Sequence, residues 1–301
     1  MRAPAVSFAL LLILGVSIAH AALVRRGHRR RAVSPRPVAH ASAAPSTVSM
    51  TCSSPSLGGK LPALVYLPAG YGETTQRFPV IYLLHGLPAG PQTYTESGFV
   101  ANVVASGSRP AIVVAPQGAR TENSDPEYLD VGPTENWPQA FSRDLTRCID
   151  THFLTIAKRS GRALIGFSAG GFGAMNIGLR HLDTFGAIES WSGYFEATDP
   201  SGLHILNLGS AAANAAARAP RGAVLARSLA RDPAFIGFYV GNQDTRFASD
   251  NLAFNGALRK QHIRHVFAEY PGGHSVTLWE QEAPTWLARA LDALAQERGG
   301  S

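Results

Sequence analysis

A serine flanked by glycines stands where an apolar run gives way to a helix-like segment. Ser168 is the centre of Gly166-Phe167-Ser168-Ala169-Gly170, which fits the Gly-x-Ser-x-Gly pattern. After a strand and before a helix, this pattern is typical of a nucleophile elbow, a sharp turn that projects the serine hydroxyl away from a sheet. The glycines permit the turn because they carry no Cβ. Ser168 is therefore a candidate nucleophile, although the five residues alone fit an incidental serine equally well.

A serine hydroxyl at neutral pH is a poor nucleophile and needs a general base, which in turn needs an orienting carboxylate. His274 is the candidate base, because it lies in a Pro-Gly-Gly loop between a predicted strand and the last predicted helix. An imidazole with an ordinary pKa of about 6.5 can accept and return a proton at neutral pH. The rivals are His262, which falls in a predicted helix, and His265, which begins a predicted strand.

The candidate acid is Asp244, which follows the predicted strand 236–240 through Gly-Asn-Gln. Its rival, Asp250, falls in the first turn of a predicted helix, where a carboxylate stabilises the helix dipole or caps the helix. The order Ser168, Asp244, His274 along the chain is the triad order of α/β hydrolases. We therefore prefer Asp244 as the acid.

An anionic tetrahedral intermediate would need two backbone N–H donors. The residue after the nucleophile, Ala169, supplies one candidate donor. The second candidate is Leu87, in the loop Leu84-His85-Gly86-Leu87-Pro88 that follows an earlier predicted strand. His85 precedes Gly86 in this loop, and we interpret it as a support for loop geometry rather than as a catalytic base.

These residues need a scaffold, and the chain from about residue 48 alternates between strand-like and helix-like segments. Short apolar runs predict buried strands, and apolar residues at helical spacing predict the helices between them. This alternation predicts an α/β fold with a mostly parallel central sheet, helices on both faces and an antiparallel hairpin at the N-terminal edge. The Ala- and Arg-rich stretch 196–234 predicts a helical insertion. The predicted strands are 48–52, 61–67, 80–84, 112–115, 162–166, 187–191, 236–240 and 265–270. The predicted helices are 137–152, 171–182, 249–261 and 280–296.

The N-terminus predicts export. An apolar run over 5–18 follows Arg2, and Ala19-His20-Ala21 supplies a small-x-small cleavage pattern. The basic tract that follows resists translocation, so residues 1–21 are a signal peptide or an uncleaved membrane anchor. Residues 22–47 predict a disordered linker, and residues 48–297 the hydrolase domain. We therefore expect a secreted or envelope-attached protein, with possible membrane attachment through the N-terminal apolar segment.

Composition excludes several other functions. Of the 27 lysines and arginines, seven lie in residues 1–50, which leaves 20 against the 21 acidic residues. A near-neutral folded part argues against nucleic-acid binding. The glycines match no phosphate-binding pattern, and no Cys/His cluster has metal-ligand spacing, so we expect no cofactor. The two cysteines, Cys52 and Cys148, could form a disulfide in an exported protein, or Cys148 could be a buried free thiol.

Four stretches of the chain carry a family resemblance: 79–86, 164–173, 190–193 and 272–275. Taken together, they resemble the "Putative esterase" family of α/β hydrolases. That family includes S-formylglutathione hydrolase, feruloyl and acetyl-xylan esterases, enterochelin esterases and the antigen 85 mycolyltransferases. The resemblance implies Ser168 as nucleophile, Asp244 and His274 as acid and base, and oxyanion donors at Leu87 and Ala169. The mycolyltransferases differ from this chain at His85 and Pro88, where they carry an acidic residue and an arginine.

Three functions fit these observations. The first is a serine esterase that hydrolyses a carboxylic ester through an acyl-enzyme; the second is an acyltransferase that passes the acyl group to a sugar or lipid hydroxyl. The third is a non-catalytic binding protein on the same fold, because a fold does not fix function. The expected partner is a small-molecule, carbohydrate or lipid ester. Four aromatic residues predict either a substrate-site lining or ordinary packing: Tyr94, Tyr128, Trp137 and Tyr194.

Overall fold

The central element of the fold is a β-sheet. The computed structural model describes residues 44–88, 102, 109–120 and 124–299. Within these residues eight strands form one sheet. They are β1 (Ser46–Ser54), β2 (Gly59–Leu67), β3 (Val80–Leu84), β4 (Ile112–Pro116), β5 (Arg162–Phe167), β6 (Ala187–Trp191), β7 (Phe235–Gly241) and β8 (Val266–Tyr270).

The strand order is β1-β2-β4-β3-β5-β6-β7-β8. Strand β2 runs antiparallel to β1 and to β4, and every other neighbouring pair is parallel. The predicted α/β-hydrolase fold, with its antiparallel hairpin at the N-terminal edge, is thus confirmed. All eight predicted strands are present, and each observed end lies within two residues of the predicted one.

The helices lie between the strands, as the alternating pattern predicts. The first, α1, is built from three consecutive segments, Trp137–Gln139, Ala140–Leu145 and Thr146–His152, of which the middle one is π-helical. The last helix begins four residues earlier than the predicted 280, and the Ser275 hydroxyl accepts a weak hydrogen bond from its Leu278 N–H, at 3.4 Å. The others are α2 (Ala169–Gly178), α3 (Ala211–Ala216), α4 (Ala223–Arg231), α5 (Ala248–Lys260) and α6 (Val276–Gly299).

Two apolar layers cover the two faces of the sheet. One layer contains buried residues of α1, α2 and α5, such as Phe141, Phe172 and Phe254. The other contains the buried face of α6, including Trp286. Because successive strand side chains point to opposite faces, β6 contributes Ile188 to the first layer and Ala187 and Trp191 to the second. Burial on both faces explains why the central strands are continuous apolar runs.

A disulfide joins the edge hairpin to the first helix. Cys52 in β1 and Cys148 in α1 are bonded, with their Cα atoms 5.9 Å apart. Beside this bond, the Ser54 hydroxyl and the Ser56 N–H both donate to the buried carboxylate of Asp144. The structure thus resolves the question that the sequence left open for the two cysteines.

The N-terminal predictions fall mostly outside the described residues. The predicted leader, 1–21, lies there, as does the predicted linker up to residue 43. Strand β1 begins at Ser46, two residues before the predicted start of the domain. Among the described residues, no helix combines the length and apolar character needed to cross a membrane.

Candidate active site

Three polar residues follow three strands of the parallel part of the sheet. Ser168 comes directly after β5, Asp244 follows β7, and His274 follows β8. Parallel strands bring their carboxyl ends to one edge of the sheet, which is where open α/β sheets bind ligands. The fold therefore brings together three residues that are up to 106 positions apart in sequence.

The three side chains form a continuous hydrogen-bonded chain. His274 Nε2 lies 2.9 Å from Ser168 Oγ, and His274 Nδ1 lies 2.8 Å from Asp244 Oδ2. The Asp244 side chain is 1% exposed and that of His274 is 12% exposed. The hydrogen-bonded chain is therefore shielded from water at its Asp244 end. This geometry suits proton transfer from the serine hydroxyl to a histidine that a carboxylate orients.

Asp244 is fixed by its own loop. Its Oδ1 accepts hydrogen bonds from the backbone N–H groups of Arg246 and Phe247, at 3.1 and 3.2 Å. Burial alone would raise the pKa of Asp244, but the hydrogen bond and charge interaction with His274 and these two N–H groups outweigh it. The pKa is therefore held below its ordinary value, and the carboxylate stays ionised at neutral pH.

The backbone at Ser168 has the conformation of a strained elbow. Its φ is 54° and its ψ is −127°, a region that residues other than glycine seldom adopt. Two sets of backbone hydrogen bonds hold it there: the Ser168 N–H donates to Trp191 O on β6, and its carbonyl accepts from Gly171 in the first turn of α2. The nucleophile-elbow geometry predicted from the five-residue pattern is present.

The flanking glycines are required by close backbone approach. A Cβ at Gly166 would lie 2.2 Å from the Gly170 carbonyl oxygen. A Cβ at Gly170 would lie 2.2 Å from the Leu84 carbonyl oxygen, at the end of β3. Neither contact is with a flexible side chain, so any larger residue must displace the strand or the helix.

The loop after β3 passes beside the serine. A Cβ at Gly86 would lie 3.1 Å from Ser168 Cβ, so this loop is in direct contact with the elbow. Leu87 is the next residue. Ala169 opens α2, and the N–H groups in the first turn of a helix have no intrahelical acceptor. Both predicted oxyanion donors thus belong to backbone segments adjoining Ser168.

His85 supports this loop through three hydrogen bonds. With the proton assigned to Nδ1, it donates to Gly86 O at 2.7 Å, while its Nε2 accepts from Gly118 N–H at 2.8 Å. The Tyr128 hydroxyl donates to the His85 carbonyl at 2.6 Å. Burial lowers the pKa of His85 to about 4, so the ring is neutral and suited to accept one bond and donate another.

Two aromatic rings hold the imidazole of His274. Phe247 and Trp279 each approach it with ring centroids 5.1 Å apart, and Trp279 meets it edge-on. Trp279 also stacks on Phe167, which precedes Ser168, with ring centroids 4.5 Å apart. Sequence reasoning missed both residues, although each lies within five positions of a predicted triad member.

The buried acid Glu127 contacts this aromatic cluster through Tyr194. The Tyr194 hydroxyl hydrogen-bonds to the Glu127 carboxyl, with O···O distances of 2.6 and 2.7 Å. The Tyr194 ring stacks on Phe172 and lies 4.7 Å from Phe247, the residue that contacts His274. Burial and the neighbouring Asp125 raise the pKa of Glu127 to about 9, so the acid is protonated at neutral pH. Sequence reasoning also missed Glu127, because its partner lies 67 residues away.

Comparison with known proteins assigns the family. The sequence profile described as "Putative esterase" matches residues 54–290. The chain belongs to this esterase family. "Esterase Rv1288" of Mycobacterium tuberculosis is 29% identical over 236 residues, which cover 70% of this chain and 51% of that protein. The chain therefore spans about half the length of this curated relative.

Solved structures show the same fold. A ferulic acid esterase superposes with a TM-score of 0.69 and 23% identity, covering 83% of this chain and 99% of that one. An S-formylglutathione hydrolase from Agrobacterium tumefaciens superposes with a TM-score of 0.67 and 20% identity, covering 85% and 98%. MPT51 of Mycobacterium tuberculosis gives 0.60 and 18% identity, covering 83% and 99%. The family profile confirms the predicted resemblance, and these neighbours confirm the fold.

The rival residues of this esterase-family chain have other contacts. The Asp250 carboxylate accepts a hydrogen bond from Phe195 N–H at 2.6 Å. His265 bonds to Ile263 O and Asn255 Oδ1, and His262 occupies a left-handed turn after α5.

Of the four aromatic residues considered as a substrate-site lining, Tyr128, Trp137 and Tyr194 are buried packing residues, whereas Tyr94 lies outside the described residues. No cluster of metal-ligating side chains occurs in the part of the chain that the structure describes.

Gly170→Ala is expected to lower the free energy of unfolding by roughly 3 kcal/mol or more, because overpacking here meets backbone rather than a movable side chain. Gly256→Ala is the matched control. It lies inside α5 with nothing within 4 Å of the added Cβ, so alanine should stabilise the protein by about 0.5–1 kcal/mol. Urea unfolding of both variants measures the two effects. Equal changes in the two variants would contradict the close approach at Gly170.

Glu127→Gln is expected to flatten the pH dependence of stability. Folding raises the pKa of this acid from 4.5 to about 9, so the folded protein keeps a proton that the unfolded chain releases. The free energy of unfolding therefore falls as pH rises between these values. Glutamine keeps an acceptor for Tyr194 and removes the titration, which should reduce this slope by up to about 1.4 kcal/mol per pH unit. Urea unfolding at several pH values in this range measures the slope, and Glu269→Gln, at an exposed position of β8, is the control. An unchanged slope in Glu127→Gln would contradict the assignment.

Proposed function

We propose that this protein is a serine esterase that hydrolyses a carboxylic ester through an acyl-enzyme intermediate. One observation carries the proposal: Ser168, His274 and Asp244 form an unbroken hydrogen-bonded chain, at 2.9 and 2.8 Å, in a member of the esterase family. The strained elbow at Ser168 supports it, because such strain is concentrated at functional sites.

In the first half-reaction, Ser168 Oγ attacks the ester carbonyl carbon while His274 Nε2 takes the hydroxyl proton. The carbonyl π bond breaks, and the charge on its oxygen is stabilised by the N–H groups of Ala169 and Leu87. The intermediate collapses, the carbon–alkoxy bond breaks, and His274 returns the proton to the leaving alcohol. Ser168 is then acylated.

In the second half-reaction, water attacks the acyl carbon as His274 Nε2 removes one of its protons. The same oxyanion donors stabilise the second tetrahedral intermediate. Its collapse releases the carboxylic acid, and the proton on His274 returns to Ser168 Oγ. Throughout, Asp244 orients the ring through Nδ1 and stabilises its cationic form, while Phe247 and Trp279 restrict its rotation.

Trapping the acyl-enzyme tests the proposal directly. Rapid mixing with p-nitrophenyl acetate should release a burst of about one p-nitrophenolate per protein if deacylation is slower than acylation. Acid quenching followed by peptide mass analysis should find the acetyl group on the peptide that contains Ser168. Acetylation of another serine in place of Ser168 would contradict the assignment.

The acceptor of the acyl group remains a prediction. The same acyl-enzyme would serve hydrolysis or transfer to a sugar or lipid hydroxyl, and we propose hydrolysis. Product analysis with and without an added alcohol separates the two. Formation of the transferred ester in preference to the free acid, at modest alcohol concentration, would favour the acyltransferase.

We also propose that the protein is exported. The apolar run and cleavage pattern of the leader support this location, and the Cys52–Cys148 disulfide is typical of oxidising compartments. N-terminal sequencing of the protein from the extracellular fraction should find a chain that begins near residue 22. A full-length chain found only inside the cell would contradict export.

A further inference from the structure

A strained corner of the backbone contacts both sides of the candidate active site. It consists of Glu127 and Tyr128, which adopt φ values of 49° and 53° in succession. Left-handed backbone is uncommon for residues other than glycine, and such strain is concentrated at functional sites. Both side chains are buried. Their contacts, which run to different loops, show what the corner holds in place.

Tyr128 holds the loop that carries Leu87. Its hydroxyl donates to the His85 carbonyl at 2.6 Å, two residues before Leu87. Its ring fits so closely against Gly118 and Gly173 that a Cβ added at either glycine would collide with it. The corner therefore fixes the backbone that leads to the proposed oxyanion donor.

Glu127 holds the other side of the site through Tyr194. The Tyr194 hydroxyl lies 2.6 and 2.7 Å from the two oxygens of the Glu127 carboxyl. The backbone end of Tyr194 is fixed by the buried Asn251 of α5, whose Nδ2 donates to Gly193 O at 2.8 Å. Between these two attachments, the Tyr194 ring lies with its centroid 4.7 Å from that of Phe247. Tyr194 is thus anchored at both ends where it supports Phe247.

Phe247 contacts both the proposed base and the proposed acid. Its ring meets the His274 imidazole at an angle of 64°, with centroids 5.1 Å apart, and its N–H donates to Asp244 Oδ1. Loss of the Tyr194 anchor would leave Phe247 unsupported, and the imidazole could then turn away from Ser168. A misplacement of about 1 Å can lower a rate about 10²-fold.

We propose that Glu127 is a positioning residue for the hydrolysis proposed above. Its carboxyl anchors Tyr194 against Phe247, and this aromatic pair keeps the His274 ring in line with Ser168. Packing alone does not require an acid here, because an apolar side chain would fill the same buried space without the cost of burying a polar group. The inference rests on the proposed function, although the ring orientation that it invokes exists without turnover.

The anchor depends on a proton that Glu127 shares with Asp125. The two carboxyls are hydrogen-bonded, and the Thr198 N–H also donates to Glu127. Burial, followed by the charge of Asp125, raises the pKa of Glu127 to about 9. Within the described residues, the titratable groups that face Glu127 are Asp125, Tyr128 and Tyr194. The protonated acid donates to Asp125 and accepts from Tyr194, whereas the ionised acid loses this donor and repels Asp125.

Two substitutions of Glu127 separate positioning from packing. Glu127→Gln keeps an acceptor for Tyr194 and a donor for Asp125, so kcat for p-nitrophenyl acetate at neutral pH should stay within about threefold of wild type. The wild-type kcat should fall as pH rises through about 9, and this fall should be absent in Glu127→Gln. Glu127→Leu keeps the volume but removes the anchor. Its kcat should fall about 10- to 100-fold, with KM changed less than about threefold.

Rates are normalised to the fraction of protein that fluorophosphonate labels, so unfolded protein does not count as lost activity. If Glu127→Leu does not fold, Tyr194→Phe carries the same expectation, because it removes only the anchored hydroxyl. The matched control is Tyr71→Phe, which removes a hydroxyl that accepts from Leu154 N–H. This control should keep kcat within about threefold, since Tyr71 has no contact with the aromatic pair.

Proton NMR of the same variants gives a readout that needs no turnover. The proton between His274 Nδ1 and Asp244 should give a far-downfield resonance, identified by its loss in Asp244→Asn. This resonance should be kept in Glu127→Gln and shifted or broadened in Glu127→Leu. An unchanged resonance or an unchanged kcat in Glu127→Leu would overturn the proposal, as would an alkaline fall of kcat that persists in Glu127→Gln. Retained hydrolysis by Ser168→Ala would instead reject the proposed function, and the NMR comparison in that background tests the orientation of His274 alone.

Discussion

Replacing Ser168 by alanine is expected to lower kcat for p-nitrophenyl acetate by roughly 10⁴- to 10⁶-fold. The variant loses the hydroxyl that lies 2.9 Å from His274 Nε2, the ring nitrogen that does not face Asp244. Without it no acyl-enzyme forms, and the residual rate reflects binding and the oxyanion donors. Initial rates at saturating substrate measure kcat, and fluorophosphonate labelling of the same samples should disappear.

The matched control is Ser190→Ala. Ser190 is a buried serine on the neighbouring strand β6, its hydroxyl faces Gly171 and Gly193, and we assign it no chemical role. This variant should keep kcat within a few-fold of wild type and should still be labelled. Retained fluorophosphonate labelling of Ser168→Ala, mapped to another residue, would reject Ser168 as the nucleophile. An equal loss of activity in both variants would point to packing near α2 rather than to the hydroxyl.

The meeting of Ser168, Asp244 and His274 could be predicted because it depends on local patterns repeated along a parallel sheet. Ser168, Asp244 and His274 each follow a recognisable apolar strand, and parallel strands place such positions at one edge. The elbow glycines add a strong local signal, because only glycine permits the backbone contact at Gly170. Parallel strands bring the three residues to one edge of the sheet, and the loops that follow the strands set the contacts between their side chains.

The surroundings of the triad could not be predicted in this way. Glu127 and Tyr194 meet through packing of two loops whose course has no periodic signal, and Glu127 also adopts a positive φ of 49°. Trp279 belongs to a helix turn that sequence reasoning excluded from the last helix. The disulfide could not be predicted for the same reason: the pairing of Cys52 with Cys148 depends on how β1 packs against α1, and no local sequence pattern records that packing.

Neighbouring strands also link Ser168, the candidate nucleophile, to Asp244, the candidate acid. The Ser168 N–H donates to Trp191 O, and the next N–H, that of Ser192, donates to Tyr239 O on β7, at 3.0 and 2.8 Å. Strand β7 leads into the loop of Asp244. The sheet therefore fixes the relative positions of β5, β6 and β7 at their carboxyl ends. Pre-organisation of this kind keeps reacting groups within the distances that catalysis needs.

Replacing Asp244 by asparagine is expected to lower kcat by about 10⁴-fold with little change in KM. Asparagine has nearly the same shape, and its carbonyl oxygen can still accept from the N–H groups of Arg246 and Phe247. Its amide would then face His274 Nδ1 as a donor, so the ring would carry its proton on Nε2. In that tautomer Nε2 cannot accept the proton of Ser168, and the negative charge that stabilises the imidazolium is also lost.

Asp250→Asn is the control, because it makes the same chemical change in the rival acid. Asp250 accepts one hydrogen bond from Phe195 N–H, and an asparagine oxygen can accept the same bond. This variant should therefore retain kcat within a few-fold, whereas Asp244→Asn loses it. The pH profile of kcat/KM adds a second readout. Loss of the carboxylate should move the pH at which activity rises and falls, whereas a loss of folded protein should lower kcat/KM equally at every pH. If Asp250→Asn is the inactive variant, the acid of the triad has been misassigned.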